Sequence, residues 1–296
     1  MIRFGVDFGG TKIEAAALNA AGEFVARVRK PNPGNYDEAL DVVAGLVADA
    51  EAMAGATCAK LGMGIPGSIS PRTGLIRNAN SVYLNGRRFG EDLEQRLARP
   101  VRLANDANCL ALSEAADGAG AGQGVVFAVI IGTGCGGGVV VDGKIIDGHN
   151  GFGGEWGHMP LPWPKPEEYP GPECWCGRKG CMEKWVSGPA FSRDAGFPTG
   201  QATMDAIQSG DASAAAALDR YVDRLGRGLA AICDVIDPDV IVLGGGMSNV
   251  DALYERLPAA IAPHVFSDIF ETPVRKAMHG DSSGVRGAVW LWPPEA

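Results

Sequence analysis

The chain has no apolar run long enough to cross a membrane. Its longest, Val125 to Ile131, spans seven residues, against the ~20 that a spanning helix needs. It has no excess of positive charge either. A net charge of -9 leaves no electrostatic footprint for nucleic acid or an anionic membrane. No export signal is visible, because Ile2-Arg3-Phe4-Gly5-Val6 is strand-like from the outset. A disulfide framework is also not expected: seven cysteines is an odd number, and the chain carries no mark of an oxidising compartment. These absences predict a cytoplasmic protein with no membrane or nucleic-acid partner.

What is present describes a globular protein. Over 296 residues, 46% are hydrophobic and 21% charged, enough core for about two domains. The 43 glycines are roughly twice the usual share. They gather at 9–10, 132–138, 148–157 and 244–246, so particular loops account for much of the excess.

Two sections follow a similar plan. A strand at 2–7, a turn at Gly9-Gly10-Thr11 and a strand at 12–18 open the first. Val125 to Ile131, the turn Gly132-Thr133-Gly134 and a strand from Gly138 to Val141 open the second. The pattern predicts a duplicated β-hairpin unit, one copy per lobe. Elsewhere helices and buried strands alternate. Helices are predicted at Tyr36 to Ala54, Phe89 to Leu97, Asp106 to Ala119 and Ala214 to Ile236. Strands are predicted at Lys60 to Ile65, Val101 to Leu103 and Val240 to Leu243. The material is α/β throughout. Pro160 to Pro172 holds six prolines and must be a loop that something else orders.

Asp7-Phe8-Gly9-Gly10-Thr11-Lys12 suits a phosphate. Glycines let backbone N–H groups come close, Thr11 adds a hydroxyl, and Asp7 is a hard-cation carboxylate. A plain hairpin turn is the competing reading, and the second copy at Gly132-Thr133-Gly134 favours phosphate. Gly244-Gly245-Gly246, after a buried strand, suits a flat ligand such as adenine or a simple turn. Asn105 and Asp106 stand at a strand-to-helix junction, where they either cap the helix or reach a sugar hydroxyl.

Cys174, Cys176 and Cys181 fall within eight residues, with His158 upstream. One imidazole and three thiolates make a closed, structural zinc set with no open position to activate water. Glu155 and Glu183 adjoin those ligands. The remaining cysteines, Cys58, Cys109, Cys135 and Cys233, read as buried thiols.

Taken together, Asp7-x-Gly-Gly-Thr-Lys12, Asn105-Asp106-Ala-Asn108, Gly154-Glu-x-Gly-His158 and Cys174-x-Cys-Gly-x-x-Gly-Cys181 resemble the ROK family (repressors, open reading frames and kinases) along essentially the whole chain. The resemblance implies a two-lobed actin-like ATPase (ribonuclease H-like) fold with duplicated glycine hairpins and a zinc-bound loop. It places an N-terminal lobe at 1–118, completed by a helix at 280–296, and a C-terminal lobe at 119–279 with the zinc loop at 158–183. It also implies an ATP:hexose 6-phosphotransferase acting with Mg2+, and a homodimer.

Gly64-Ile-Pro-Gly-Ser-Ile-Ser-Pro71, Asn78-Ala-Asn-Ser81, Leu84-Asn-Gly86, Val129 to Gly136, and the tail His279 to Gly287 with Trp290-Leu-Trp-Pro293 are similar to the bacterial fructokinase, or manno(fructo)kinase, branch. D-fructose, with mannose second, is the substrate this implies; N-acetylglucosamine or glucose is the alternative. By the same resemblance Asp106 is the general base toward the C6 hydroxyl. Gly67, Asn80, Asn105, Glu155, His158 and Glu183 bind the sugar. Asp7, Gly9, Gly10, Thr11, Lys12, Gly132, Thr133 and Gly134 attend the phosphates, and Gly244, Gly245 and Gly246 the nucleoside. His158, Cys174, Cys176 and Cys181 hold zinc. A sugar-responsive repressor of the same family would carry a helix-turn-helix domain ahead of the first hairpin, where only six residues precede Asp7.

Overall fold

The computed structural model describes residues 2–293. The chain divides into two compact units. One comprises Met1–Ala121, Gly143–Gly153 and His279–Ala296; the other comprises Gly122–Asp142 and Gly154–Met278. Among the described residues no helix is long and apolar enough to cross a membrane.

In the first unit the strands Arg3–Phe8 and Lys12–Leu18 form the expected hairpin, with Phe8 facing Ile13 across the turn. Phe24–Pro31 extends it on one side. Leu61–Ile65 and then Val101–Asn105 add in parallel on the other. Helix Tyr36–Ala54 covers this sheet with Ala39, Val43, Leu46 and Val47, each large aliphatic being worth ~1.5–3 kcal/mol on burial. Its limits are set by local chemistry. The Asn35 side chain accepts from the Glu38 N–H at the start, and Gly55 ends it in the left-handed conformation.

The C-terminal helix is shorter than the expected 280–296. It runs Ser283–Trp290 after a 3-10 turn at Gly280–Ser282. Pro293 disfavours helical backbone at the residue before it, and 294–296 lie outside the described residues. This helix lies directly on the sheet, because a Cβ on Gly62 would come within 1.8 Å of the Ala288 carbonyl oxygen. Only glycine permits that approach.

The second unit repeats the sheet plan. Val125–Ile131 and Cys135–Val141 are antiparallel, and Val240–Gly244 then Val274–Lys276 add in parallel beside Val125–Ile131. The second hairpin strand starts three residues before the expected Gly138, with Gly136 and Gly137 paired to Ile130 and Val129. Helix Ala212–Ile236, capped by Asp211 on the Ala214 N–H, buries Leu218, Tyr221, Leu225 and Leu229 in this unit's core.

Candidate functional site

In the first unit the chemistry gathers where its parallel strands end. Asp7 is the penultimate residue of the first strand, and the Gly9 N–H donates to the Lys12 carbonyl at 3.0 Å to form the turn. Asn32 braces that turn from outside. Its side-chain amide donates to the Gly9 carbonyl at 2.8 Å, and its backbone N–H donates to the Thr11 carbonyl at 2.9 Å. Tyr83 in turn donates its hydroxyl to Asn32 Oδ1 at 2.5 Å. Gly10 and Thr11 remain exposed at the tip, and Lys12 is half-buried. The Asp7 carboxyl is pushed up to about 6, first by burial and then by the charges of Asp106 and Glu14, with Lys12 opposing.

Asp106 opens helix Asp106–Asp117. Asn105 caps it, with Oδ1 accepting from the Ala107 N–H at 2.8 Å, while Nδ2 donates to the Gly67 carbonyl at 2.9 Å. Asn105 therefore caps the helix, and the second Nδ2 hydrogen and second Oδ1 lone pair leave it able to meet a ligand as well. It also fixes the residue beside it. Asp106 is open to solvent, yet protein packed around the carboxyl raises its pKa, opposed by hydrogen bonds from Ala107 and Asn105. Gly67 sits at φ +78, where a Cβ would meet the Arg77 carbonyl oxygen at 2.4 Å. Asn80 is exposed, and its neighbour Ala79 is held at both backbone N–H and C=O by Asn85. Asn108 is buried and donates to Asp147 Oδ1 at 2.9 Å.

In the second unit the turn at Gly132-Thr133-Gly134 closes through the Gly132 N–H to the Gly134 carbonyl at 3.0 Å. The Gly188 N–H anchors it by donating to the Gly132 carbonyl at 2.8 Å. Glu183 stands against this turn. Its Oε2 accepts from the Cys135 N–H at 3.3 Å and lies where a Cβ on Gly134 would be at 2.9 Å. Its Oε1 accepts from the Trp175 indole at 2.9 Å. Gly245 takes φ +81 with the Ile131 backbone against it, Gly244 is buried and Gly246 is exposed.

His158 ends the 3-10 turn Trp156–His158, which Glu155 precedes as an exposed residue. His158, Cys174, Cys176 and Cys181 present donor atoms all within 4.8 Å of one another. His158 Nδ1 lies 3.6 Å from Cys174 Sγ, and Cys176 Sγ lies 3.6 Å from Cys181 Sγ. Those are tetrahedron edges: Zn–S and Zn–N bonds of ~2.3 and ~2.1 Å require ligand separations of about 3.6–3.8 Å. The donor set fits a closed zinc site.

The proline-rich loop is also ordered by buried ion pairs. Glu168, buried in that loop, accepts from Arg224 Nε at 2.9 Å and from Arg227 Nη2 at 2.9 Å. Arg227 also donates to the carbonyls of Pro162 and Trp163. No sequence spacing pointed to these arginines, which lie on the long helix. Asn32 and Trp175 were missed as well. Only Trp175 carried a signal, lying between two of the cysteines.

The ROK family model matches residues 3–295. An N-acetyl-D-glucosamine kinase of Photobacterium profundum is 40% identical over 300 residues, covering 97% of this chain and 98% of the relative. Among solved structures, the ROK hexokinase of Thermus thermophilus superposes with a TM-score of 0.88 at 33% identity, covering 98% of this chain and 97% of that one. A ROK family glucokinase of Streptomyces griseus, in complex with glucose and AMPPNP, superposes at 0.76 with 27% identity, covering 98% and 99%.

Proposed function

The chain belongs to the ROK family and its sugar-kinase branch, and from that premise we propose that it transfers the γ-phosphoryl group of ATP to the C6 hydroxyl of N-acetyl-D-glucosamine. The fructose preference expected from the motifs at Gly64 to Pro71 and His279 to Gly287 gives way here. A relative 40% identical along its whole length carries the N-acetyl-D-glucosamine name, which favours the alternative reading.

The observation that carries the reaction is Asp106. It is open to solvent, presented at the first position of a helix and fixed by Asn105, with a carboxyl of raised pKa. A base of that kind accepts the hydroxyl proton as the oxygen attacks phosphorus. Phosphoryl transfer asks mainly for positioning and charge stabilisation. The turns at Gly9 to Lys12 and Gly132 to Gly134 offer backbone N–H groups for phosphates, and Gly244 to Gly246 a close approach for the nucleoside. Asp7 is the hard carboxylate that would hold Mg2+, whose contribution is to offset charge on the phosphates. Glu155, His158 and Glu183 take the sugar hydroxyls, with Asn105, Asn80 and Gly67 completing the set. His158 would use Nδ1 on zinc and keep Nε2–H as a donor. Zinc would serve as scaffold. We read the repeated sheet plan as the duplicated actin-like design and expect a homodimer.

Two-dimensional phosphorus–proton NMR of the reaction product tests the regiochemistry. Coupling of phosphorus to the C6 protons is expected; coupling to another ring proton would remove Asp106 as the base for a C6 hydroxyl.

A further inference from the structure

The first unit carries a cavity at the opposite ends of its parallel strands from Asp7 and Asn105. It encloses about 410 Å³, within the ~300–1,000 Å³ of small-molecule sites. Arg3 from the first strand, Lys60 just before Leu61–Ile65 and Arg102 from Val101–Asn105 bring three cations to it. Phe4, Val289 and Trp292 supply apolar wall. The cations are held in place by rings. The Arg3 guanidinium lies 3.8 Å from the Trp290 centroid and that of Arg102 3.9 Å from Trp292, with the Lys60 ammonium 5.4 Å from Trp292. Trp292 is itself pinned by its indole N–H to the Leu61 carbonyl at 2.9 Å.

Two features point to a ligand. First, Arg3, Lys60 and Arg102 line the cavity with no carboxylate among its described lining residues, a charge balance that favours an anion. The acid whose charge reaches Arg3, Asp117, is already bonded to His279 and Arg286. Second, the volume exceeds what a bare oxyanion fills, and apart from Thr57 the remaining wall is apolar. A stacked guanidinium keeps its edge donors for an oxyanion.

We propose that this cavity is a non-catalytic binding site for a small organic anion, with a phosphate or carboxylate head on Arg3 and Arg102 and a carbon body against Trp292. Helix Ser283–Trp290 contributes Val289 to the cavity, and a Cβ on its Gly284 would meet Asp7 Oδ2 at 2.8 Å.

The test is indole N–H NMR of the full chain, with the Trp290 and Trp292 resonances assigned from Trp290→Phe and Trp292→Phe. Saturating Mg-ADP is present throughout to fill the nucleotide site. Glycerol 3-phosphate is the probe, inorganic phosphate supplies the head alone, and glycerol is the neutral control. The Trp292 resonance should shift saturably with glycerol 3-phosphate, at a Kd of about 1 mM or tighter, more weakly with phosphate and not with glycerol. Arg3→Gln combined with Arg102→Gln should keep the dispersed indole spectrum and lose the response at least tenfold. No saturable shift in the wild type, or an undiminished one in the folded double variant, would overturn the proposal.

Discussion

Trp175 donates its indole N–H to Glu183 Oε1 at 2.9 Å while its ring stands edge-on to His158, with centroids 4.8 Å apart. One side chain inside the cysteine cluster thus links a candidate metal ligand to a candidate sugar ligand. Trp175→Phe keeps the edge contact and removes the hydrogen bond. Bonds to charged acceptors are worth ~1.5–3 kcal/mol, and the exposure of Trp175 argues for the low end. The expected result is a several-fold rise in KM for the sugar with kcat and zinc content nearly unchanged, read from steady-state kinetics and metal analysis. An unchanged KM would mean that Glu183 is held adequately by the Cys135 amide alone.

Asp106→Asn preserves the shape of the helix start and the cap from Asn105, so both substrates should still bind. Turnover should fall by roughly 10²–10⁴, the usual contribution of a positioned base. Calorimetric binding beside initial rates checks this. Near-normal turnover would transfer the role to another group.

Glu168 holds Arg224 and Arg227 in the core of the second unit. Glu168→Gln removes the carboxylate the two guanidinium groups share but leaves Asp194 on Arg224 and Asp223 on Arg227, so the loss should fall below the ~3–5 kcal/mol of a fully broken buried pair. Burial alone would raise the Glu168 pKa. Hydrogen bonds from Arg224, the Lys165 amide and Arg227 outweigh it and hold the carboxyl below its ordinary 4.5. A depressed folded pKa means the stabilisation is complete above the ordinary value and is lost as pH falls through the folded one. Urea unfolding of the wild type and Glu168→Gln should show the full gap near pH 7 and a shrinking gap below about pH 4.5. A gap that stayed constant into acid would contradict the assignment.

The four-donor cluster should bind about one zinc per chain, measured by elemental analysis. Stripping the metal with a chelator should lower the unfolding temperature and raise KM for the sugar more than it lowers kcat, because in the proposed role the metal would order the loop and stay outside the transfer. Full stability and unchanged kinetics in metal-free protein would remove the scaffold role.

Much of this was legible along the chain, for physical reasons that also set its limits. Helices Tyr36–Ala54 and Phe89–Leu97 fall where apolar spacing places them; for the first, Asn35 and Gly55 mark both ends. Strand Cys135–Val141 was read short because Gly136, Gly137 and Gly138 carry no side-chain pattern, although their backbones pair in full register. The four-donor cluster was readable because three of its members, Cys174, Cys176 and Cys181, are dense in sequence. The Glu168 network was not, since Arg224 and Arg227 reach the loop from a distant helix and look like surface charges in isolation. Asn105 was readable only as a choice between cap and ligand, and coordinates were needed to see that it caps the helix while also reaching the Gly67 carbonyl. That Gly143–Gly153 belongs with the first unit left no mark in composition at all.

The most direct test of the central claim is ADP release from Mg-ATP against N-acetyl-D-glucosamine, glucose, mannose and fructose under identical conditions. N-acetyl-D-glucosamine should give the highest kcat/KM of the four, by at least about tenfold, equivalent to ~1.4 kcal/mol of transition-state discrimination. A higher kcat/KM for fructose would restore the reading that the Gly64 to Pro71 motif first suggested and contradict the substrate proposed here. No ADP release with any sugar would contradict the kinase assignment itself.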